Sequence, residues 1–290
     1  NVKNLLEIKS GINWLVSGNT FSNNWADSQS GYAVLPVAQI SQYNADGWVR
    51  GENIRFVANS ISNSTSGVRF SHEGGITFGY NNSRVQAQDN LFSKIGITDY
   101  PSISTNSGVY PMSFAGDCDD CLFDHNTLSS NVTGGNGLAF DTDSNTRFRL
   151  QNSITYNNAN GIVYDGGSAC TTYLPSPSGL FNSVLIWSGT YTVSSCATNV
   201  SGILSSTVLF TSASDFTLLP TSPYSASCAA GCAFEGTDGK DLGADIAMVN
   251  GATGGAVSGT PWLGGSITVA AGSTRAIVRY TAPSSSVCTL

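Results

Sequence analysis

One sequence pattern recurs along the chain, and its first copy reads Trp14-Leu-Val-Ser-Gly-Asn19-Thr-Phe21. It consists of an apolar strand, an asparagine, and an apolar residue two places later. Four further copies follow: Ile54-Arg-Phe-Val-Ala-Asn59-Ser-Ile61, Val85-Gln-Ala-Gln-Asp-Asn90-Leu-Phe92, Cys121-Leu-Phe-Asp-His-Asn126-Thr-Leu128 and Phe148-Arg-Leu-Gln-Asn152-Ser-Ile154. The fifth copy is one residue out of phase before its asparagine. Self-similarity at a period of about 20–50 residues is the signature of a stacked-repeat protein.

A short strand led by glycine follows each copy, as in Gly67-Val-Arg-Phe. Strand side chains alternate between two faces, so we expect these residues to point inward: Val68, Phe70, Leu138, Phe140, Ile162 and Tyr164. Trp14 is also expected in the core. Asparagine suits the turn between strands, because it tolerates a left-handed backbone and its amide can bond to the next copy. Stacking at roughly 4.8 Å would bury an apolar core that no copy can bury alone.

These repeats resemble the right-handed parallel β-helix superfamily, which includes pectate-lyase-like and polygalacturonase-like proteins. The resemblance covers about residues 4 to 248. It includes Asp215-Phe-Thr-Leu-Leu-Pro-Thr-Ser-Pro-Tyr224 and Asp238-Gly-Lys-Asp-Leu-Gly-Ala-Asp245, which look like the last coil that ends the stack in bacterial secreted members. The resemblance implies an all-β fold, with a parallel β-helix (solenoid) over residues 1–250. It says little about activity, because the superfamily spans lyases, hydrolases, adhesins and inert tails.

The composition changes after about residue 250. Gly251-Ala-Thr-Gly-Gly-Ala-Val-Ser-Gly259 reads as a linker, which we predict over residues 251–265. Residues 267–270 and 275–280 alternate like a hairpin and resemble the opening strands of a fibronectin-type sandwich. Two strands are not independently stable. Residues 266–290 are therefore predicted to be an incomplete β-domain that packs on the repeats, is completed by a neighbouring chain, or is the remnant of a truncated one.

The charge of the chain restricts the classes of molecule that it can bind. Charged residues make up only 11% of the chain, and 12 basic side chains stand against 19 acidic ones. The chain offers no basic stripe, which argues against nucleic acid and anionic membranes. No run of about 18 apolar residues occurs, so membrane insertion is not expected. Asn1 is not a translational start, so we expect a processed or truncated chain.

The seven cysteines suggest disulfides. The predicted local pairs are Cys118–Cys121, Cys170–Cys196 and Cys228–Cys232, which leaves Cys288 to pair outside these residues. Zinc is the less favoured reading, because the second close pair is CxxxC rather than CxxC and lies far downstream. Disulfides imply an oxidising environment, so the protein is expected to be secreted or to lie at the cell surface.

Two aspartates are the first catalytic candidates. Asp141 and Asp165 each stand four residues after the glycine of their strand. On adjacent copies they would lie about 5 Å apart, which is the separation of a retaining glycosidase pair. Asp141, Asp143 and Asn145 could instead hold calcium, the one cofactor expected, although none is required. The simpler alternative is that these side chains cap turns at strand ends.

A second candidate cluster lies on an earlier copy. Arg69, His72 and Glu73 could serve acid–base chemistry on an outer face, with Arg69 or His72 abstracting a sugar proton. The other histidine, His125, fills the position just before the repeat asparagine, where other copies have Gly18 and Ala58, and is read as structural.

Aromatic and acidic side chains leave two readings open. Trp48, Tyr80 and Tyr110 lie in or near long segments between repeats, where they could stack on sugar rings or staple loops to the core. Asp117-Cys-Asp-Asp-Cys121 could bind a cation or a sugar hydroxyl, or be a solvated loop. The Asp-Asp pair lacks the Gly-His-Gly and Arg-x-Lys that accompany it in polygalacturonase-like hydrolases, so we reject that assignment.

Two functions follow from these observations. The first is binding or processing of an extracellular polysaccharide or other glycan on the groove face near Arg69, His72, Asp141 and Asp165. If the protein is an enzyme, it is then a polysaccharide lyase or glycoside hydrolase. The alternative is a non-catalytic structural, adhesive or filament subunit completed by neighbouring copies of itself. Low charge, absent family motifs and the unpaired Cys288 favour this alternative.

Overall fold

A computed structural model describes most of the repeat region and part of the tail. The described residues are 3–9, 11–25, 31–39, 51–73, 82–96, 110–115, 118–129, 138–141, 149–156, 162–164, 181–187, 197–203, 208–254, 266–271 and 276–281. Within these residues the chain is predominantly β, with parallel sheets and one short helix. The all-β prediction is confirmed at that level.

The glycine-led strands form a six-stranded parallel sheet. In spatial order its strands are β1 (Leu6–Ile8), β4 (Val34–Gln39), β7 (Val68–Glu73), β10 (Met112–Ala115), β14 (Leu138–Asp141) and β17 (Ile162–Tyr164). Equivalent positions pair from copy to copy: Val34 with Val68, Val68 with Met112, and Met112 with Leu138. The strands that follow Gly67, Gly137 and Gly161 therefore have the register that the sequence pattern predicts. The other two are shifted, because Val34 and Met112 stand three and four residues after their glycines instead of one.

The asparagine-containing copies form two rows of parallel strands. The first row is β2 (Gly11–Ser17), β5 (Gly51–Val57), β8 (Asn82–Gln88), β12 (Leu122–Asp124) and β15 (Arg149–Gln151). The second row is β3 (Thr20–Ser22), β6 (Ser60–Ser64), β9 (Leu91–Ile95), β13 (Thr127–Leu128) and β16 (Ile154–Tyr156). Both rows end on β18 (Phe181–Trp187), which pairs in turn with β19 (Ala197–Ile203). The short β11 (Cys118–Asp119) pairs with β8.

The turn between the two rows differs from the prediction in one respect. The left-handed residue is the one before the repeat asparagine, and we call these positions the turn ladder: Gly18, Ala58, Asp89, His125 and Asn152, with φ between 48° and 67°. The asparagines themselves supply the amides that join the copies. In the fifth copy Asn126 is level with Ser153, because Thr127 pairs with Ile154, and the Ser153 hydroxyl accepts from the Asn126 nitrogen at 3.1 Å.

The core lies between the sheets and is built from the inward-pointing apolar residues. Val68 and Phe70 are buried, as predicted. The rings of Phe56, Phe70 and Phe123 pack edge to face across the interior. Trp14 is an exception, because it lies on the first strand of its row and is 39% exposed. The prediction of a buried Trp14 is therefore wrong.

Residues 208–254, here called the flank segment, run across the side of the repeats. Gly243 N donates to Asn152 O at 2.8 Å, Ala244 N to Thr127 Oγ1 at 2.9 Å, and Asp245 N to Asp89 Oδ1 at 3.1 Å. The segment thus spans three copies rather than forming a last coil at the end of the stack, as the resemblance implied. Outward-pointing Leu91 and Ile154 pack against its apolar residues.

The flank segment ends in the helix α1 (Ile246–Thr253). Asp245 caps its first turn, since its side chain accepts from Met248 N at 2.9 Å. Ile246 and Val249 are buried with Phe216 and Ala244. The predicted linker start at residue 251 therefore falls inside the helix.

Beyond the flank segment, β20 (Ser266–Ala271) and β21 (Ala276–Thr281) pair antiparallel, as the alternation predicts. Cys228 and Cys232 form the predicted disulfide, with Cα atoms 5.7 Å apart. Cys121 is also disulfide-bonded, while nothing of the side chain of its predicted partner Cys118 is described. The remaining cysteines, Cys170, Cys196 and Cys288, lie outside them as well.

Candidate functional site

A cavity of about 440 Å³, which we call the flank cleft, lies where the flank segment meets the turn ladder. Its titratable lining residues are Asp89, His125, Lys240, Asp241 and Asp245. Its apolar lining includes Phe216, Leu218, Ile246 and Met248. Known small-molecule sites have volumes of about 300–1,000 Å³ and combine an apolar lining with a few convergent polar groups. The flank cleft matches that description in both size and lining.

His125 lies at the buried floor of the cleft, only 3% exposed. Its Nδ1 is 3.0 Å from the carbonyl oxygen of Gly243, and its Nε2 is 3.2 Å from Oδ1 of Asp238. Both ring nitrogens therefore lie within hydrogen-bonding distance of an oxygen atom. These contacts join the turn ladder to the flank segment. They agree with the reading of His125 as structural and also fix its ring at the cleft.

Asp89 occupies the equivalent position one copy earlier and is 7% exposed. Burial raises the pKa of Asp89 above its ordinary value, and this outweighs the backbone hydrogen bond from Asp245 and the neighbouring His125 and Lys240. Asp245, the other carboxylate nearby, acts in the same direction as burial. Asp89 is thus a carboxyl group whose ionised form is poorly solvated.

Asp238, which precedes the cleft residues Gly239 and Lys240 in the chain, has the opposite environment. Burial opposes its ionisation, but His125 and Lys240 together outweigh that effect and lower the pKa of Asp238. Lys240 Nζ is 3.2 Å from Oδ2 of Asp238, and this contact raises the pKa of Lys240. The pKa values of two carboxyl groups that interact with His125 are therefore shifted in opposite directions, which is common at sites of binding or acid–base chemistry.

Three carboxylates of the cleft are held by main-chain amides through one oxygen each. Asp89 Oδ1 accepts from Asp245 N at 3.1 Å, Asp245 Oδ1 from Met248 N at 2.9 Å, and Asp241 Oδ1 from Ala226 N at 2.8 Å. Asp241 Oδ1 also accepts from the Ser225 hydroxyl. These contacts fix the orientation of each side chain and involve only Oδ1. The arrangement can therefore receive hydrogen-bond donors from a bound molecule.

The groove face predicted from the sequence is described only in part. Arg69 lies outward between buried Val68 and Phe70, and its guanidinium carbon is 5.6 Å from the centre of the Tyr32 ring. Burial raises the pKa of Tyr32, and Arg69 partly offsets that effect. The predicted sugar-binding Tyr110 is half-buried and close enough to Tyr32 to influence its ionisation.

The other predicted residues of this face are placed by strand register alone. His72 pairs with Ala38 and Glu73 with Gln39, while Asp141 is level with Ala115. Phe140 pairs with Tyr164. The prediction that Asp141 and Asp165 lie close together assumes this same alignment of the two strands. The side chains of His72, Glu73 and Asp141 are not described, and Trp48, Tyr80, Asp143, Asn145 and Asp165 lie outside the described residues.

Sequence reasoning missed the flank cleft. A charged residue at the turn ladder was the available signal, because Asp89 and His125 replace the small Gly18 and Ala58 of earlier copies. The second half of the cleft, from Lys240 to Asp245, was quoted only as part of a closing coil. No repeat pattern connects it with Asp89, since the two are joined by tertiary contacts alone.

Within the described residues, no group of three or more His, Cys, Asp or Glu side chains is arranged to hold a metal ion. Among the helices of that part of the chain, none has the length and apolar character needed to cross a membrane. Comparisons with protein-family models, curated proteins and solved structures found no match to this chain.

Proposed function

We propose that this protein is a secreted right-handed parallel β-helix that binds an extracellular polysaccharide in the flank cleft. The observation that carries the proposal is the cavity of about 440 Å³, which is lined by both carboxylates and apolar side chains. The aligned registers of five successive copies and the turn ladder support the β-helix. The Cys228–Cys232 disulfide supports an oxidising, extracellular location.

The lining of the cleft suits a sugar because sugars combine hydroxyl donors with apolar ring faces. The carboxylates of Asp89, Asp241 and Asp245 can accept hydroxyl hydrogen bonds, and charge makes such bonds stronger than neutral ones. The Phe216 ring and the Met248 side chain offer apolar surface for a ring face. The groove face contributes less support, because its described cation, Arg69, already lies over Tyr32.

A cleft-filling substitution tests the proposal. Ala247 lines the cleft from α1, whereas Asn250 lies on the same helix, is also exposed, and does not line it. In affinity electrophoresis through gels containing neutral, acidic or amine-bearing polysaccharides, the native protein should be retarded by at least one polymer. Ala247→Trp should abolish the retardation, and Asn250→Trp should preserve it. Retention that survives Ala247→Trp would place the binding surface elsewhere and contradict the proposal.

A second function, a structural subunit that stacks on neighbouring copies, is favoured by one observation. The first copy exposes Ile12, Trp14 and Leu15, at 52%, 39% and 63%. Strands β2 and β3 each pair on one side only within the described residues, and unpaired strand edges invite pairing with another chain. Sedimentation velocity over a range of concentrations distinguishes the two functions. Growth into larger species that Trp14→Lys prevents would favour the structural subunit.

A further inference from the structure

The flank cleft carries more negative than positive charge. Asp89, Asp241 and Asp245 line it as carboxylates, against the single lysine Lys240 and the ring of His125. Lys240 is 70% exposed and is already in contact with Asp238. The negative charge of the cleft wall is therefore only partly balanced by the groups that face it.

The unbalanced negative charge is least favourable at Asp89. Its side chain is more than nine-tenths buried, and its one described hydrogen bond, from Asp245 N, engages Oδ1. The charged groups that face it are His125, Asp245 and Lys240. Those groups offset the cost of burying the Asp89 charge only in part, and a bound cation would offset more of it.

We propose that the flank cleft recognises an amine-bearing sugar, whose ammonium group lies against Asp89 while its hydroxyl groups bind Asp241 and Asp245. This inference rests on the proposed glycan-binding function and names the class of glycan. The ammonium group supplies three donors and one positive charge, which add to the partial compensation that Asp89 receives from His125 and Lys240.

Other ligand classes fit the cleft less well. An anionic sugar would bring its carboxylate next to three others, and like charges at short range repel strongly in a partly buried site. A bare metal ion needs several ligating side chains close together, and the described residues include no such group. A neutral sugar could satisfy the hydroxyl contacts but would leave the Asp89 charge uncompensated.

A substitution at Lys240 tests whether charge determines the ligand preference of the cleft. It stands at the rim, and its ammonium group repels a cationic ligand while its partner Asp238 attracts one. Replacing Lys240 with glutamine removes the repulsion and leaves Asp238 free to attract the ligand. Lys240→Gln should therefore bind an amine-bearing sugar more tightly than the native protein, and a neutral sugar about equally.

The test is isothermal titration of the full chain with three matched β-1,4-linked disaccharides, built from glucosamine, N-acetylglucosamine or glucose. The glucosamine disaccharide should bind at least about tenfold more tightly than either neutral one, a difference of about 1.4 kcal/mol, since it adds a hydrogen bond to a charged group. Asp89→Asn should remove this preference, because the amide keeps an oxygen for Asp245 N but has no charge. Glu235→Gln, an equal charge change at an exposed residue outside the cleft lining, should retain it.

The possible outcomes separate the inference from the function on which it rests. Equal binding of all three disaccharides, blocked by Ala247→Trp, would overturn the amine preference and leave glycan binding standing. A preference that persists in Asp89→Asn would overturn the assignment of the ammonium to Asp89. Binding of none of the three, together with no retention on any polysaccharide gel, would overturn both the inference and the proposed function.

Discussion

Asn90 accepts two hydrogen bonds from Asn59 through one oxygen: the backbone nitrogen and the side-chain amide of Asn59 both lie 3.0 Å from Asn90 Oδ1. The Asn90 amide in turn donates to the carbonyl oxygen of Phe56 at 2.8 Å. The same pair of contacts joins Asn19 to Asn59 and Asn90 to Asn126. One side chain per copy thus satisfies the buried turn of its neighbour.

Replacing Asn90 with alanine should destabilise the protein by about 2–3 kcal/mol, because two buried donors of Asn59 and the Phe56 carbonyl lose their partner. Asn90→Ser is the matched control. A serine hydroxyl accepts from the backbone nitrogen at the equivalent place in the fifth copy. Asn90→Ser should therefore lower the free energy of unfolding less than Asn90→Ala does. Urea unfolding measures both variants, and equal losses would show that the ladder contributes little.

Thr155 offers a substitution in the stabilising direction. Its side chain is buried, and its hydroxyl has no hydrogen-bond partner among the described residues. Thr155→Val should therefore raise the free energy of unfolding by about 1 kcal/mol, since a desolvated hydroxyl is removed. Thr127→Val should lower it, because Thr127 Oγ1 accepts from Ala244 N. Thermal unfolding that ranks the two variants in the reverse order would contradict this assignment.

Gly243 tests how the flank segment docks. Its φ is +83°, and an added Cβ would lie 2.5 Å from Thr127 Oγ1. Gly239 has a similar φ of +76° with nothing near an added Cβ, so Gly239→Ala isolates the cost of the left-handed backbone, about 1–2 kcal/mol. Gly243→Ala should cost more and should speed proteolysis within residues 208–254. Equal effects of the two variants would mean that the close approach is not required.

Asp89 should make stability depend on pH. Its pKa is raised in the folded state, so its favourable contribution is present at low pH and is lost as the pH rises through the folded value. Asp89→Asn should be more stable than the native protein near neutral pH, and the difference should shrink as the pH falls. Urea unfolding at a series of pH values measures this difference. A gain that is constant with pH would show that burial of the charge is not its cause.

Asp238 should make stability depend on pH in the direction opposite to Asp89. Its pKa is lowered in the folded state, so its contribution is present above the ordinary aspartate pKa and is lost as the pH falls through the folded value. The effect should be small, since Asp238 is 39% exposed. Asp238→Asn should therefore lose slightly more stability at neutral than at acidic pH in the same series of unfolding measurements.

The repeat pattern in the sequence predicted the strands and their register, because each copy has the same alternation and an asparagine at a fixed place. It misplaced the left-handed residue, since Ala58 does not favour that conformation whereas the asparagine beside it does. It also misjudged the fifth copy, where Ser153 takes the place of asparagine because any acceptor can satisfy the Asn126 nitrogen.

The flank cleft could not be predicted in the same way. Its two halves, Asp89 with His125 and the stretch from Lys240 to Asp245, are more than 100 residues apart in sequence. The packing of Leu91 and Ile154 against the flank segment brings them together. Hydrogen bonds from Gly243, Ala244 and Asp245 to the repeats also contribute. An outward apolar residue in a strand does not indicate which segment will cover it.

The two methionines of the chain allow the most direct test of glycan binding in the flank cleft. Met248 lines the cleft and is 41% exposed, whereas Met112 is buried in the core. In the NMR spectrum of protein carrying ¹³C-labelled methionine methyl groups, titration with the glucosamine disaccharide should shift the Met248 signal in a saturable manner and leave Met112 unchanged. An unchanged Met248 signal at concentrations where titration calorimetry detects binding would contradict this account.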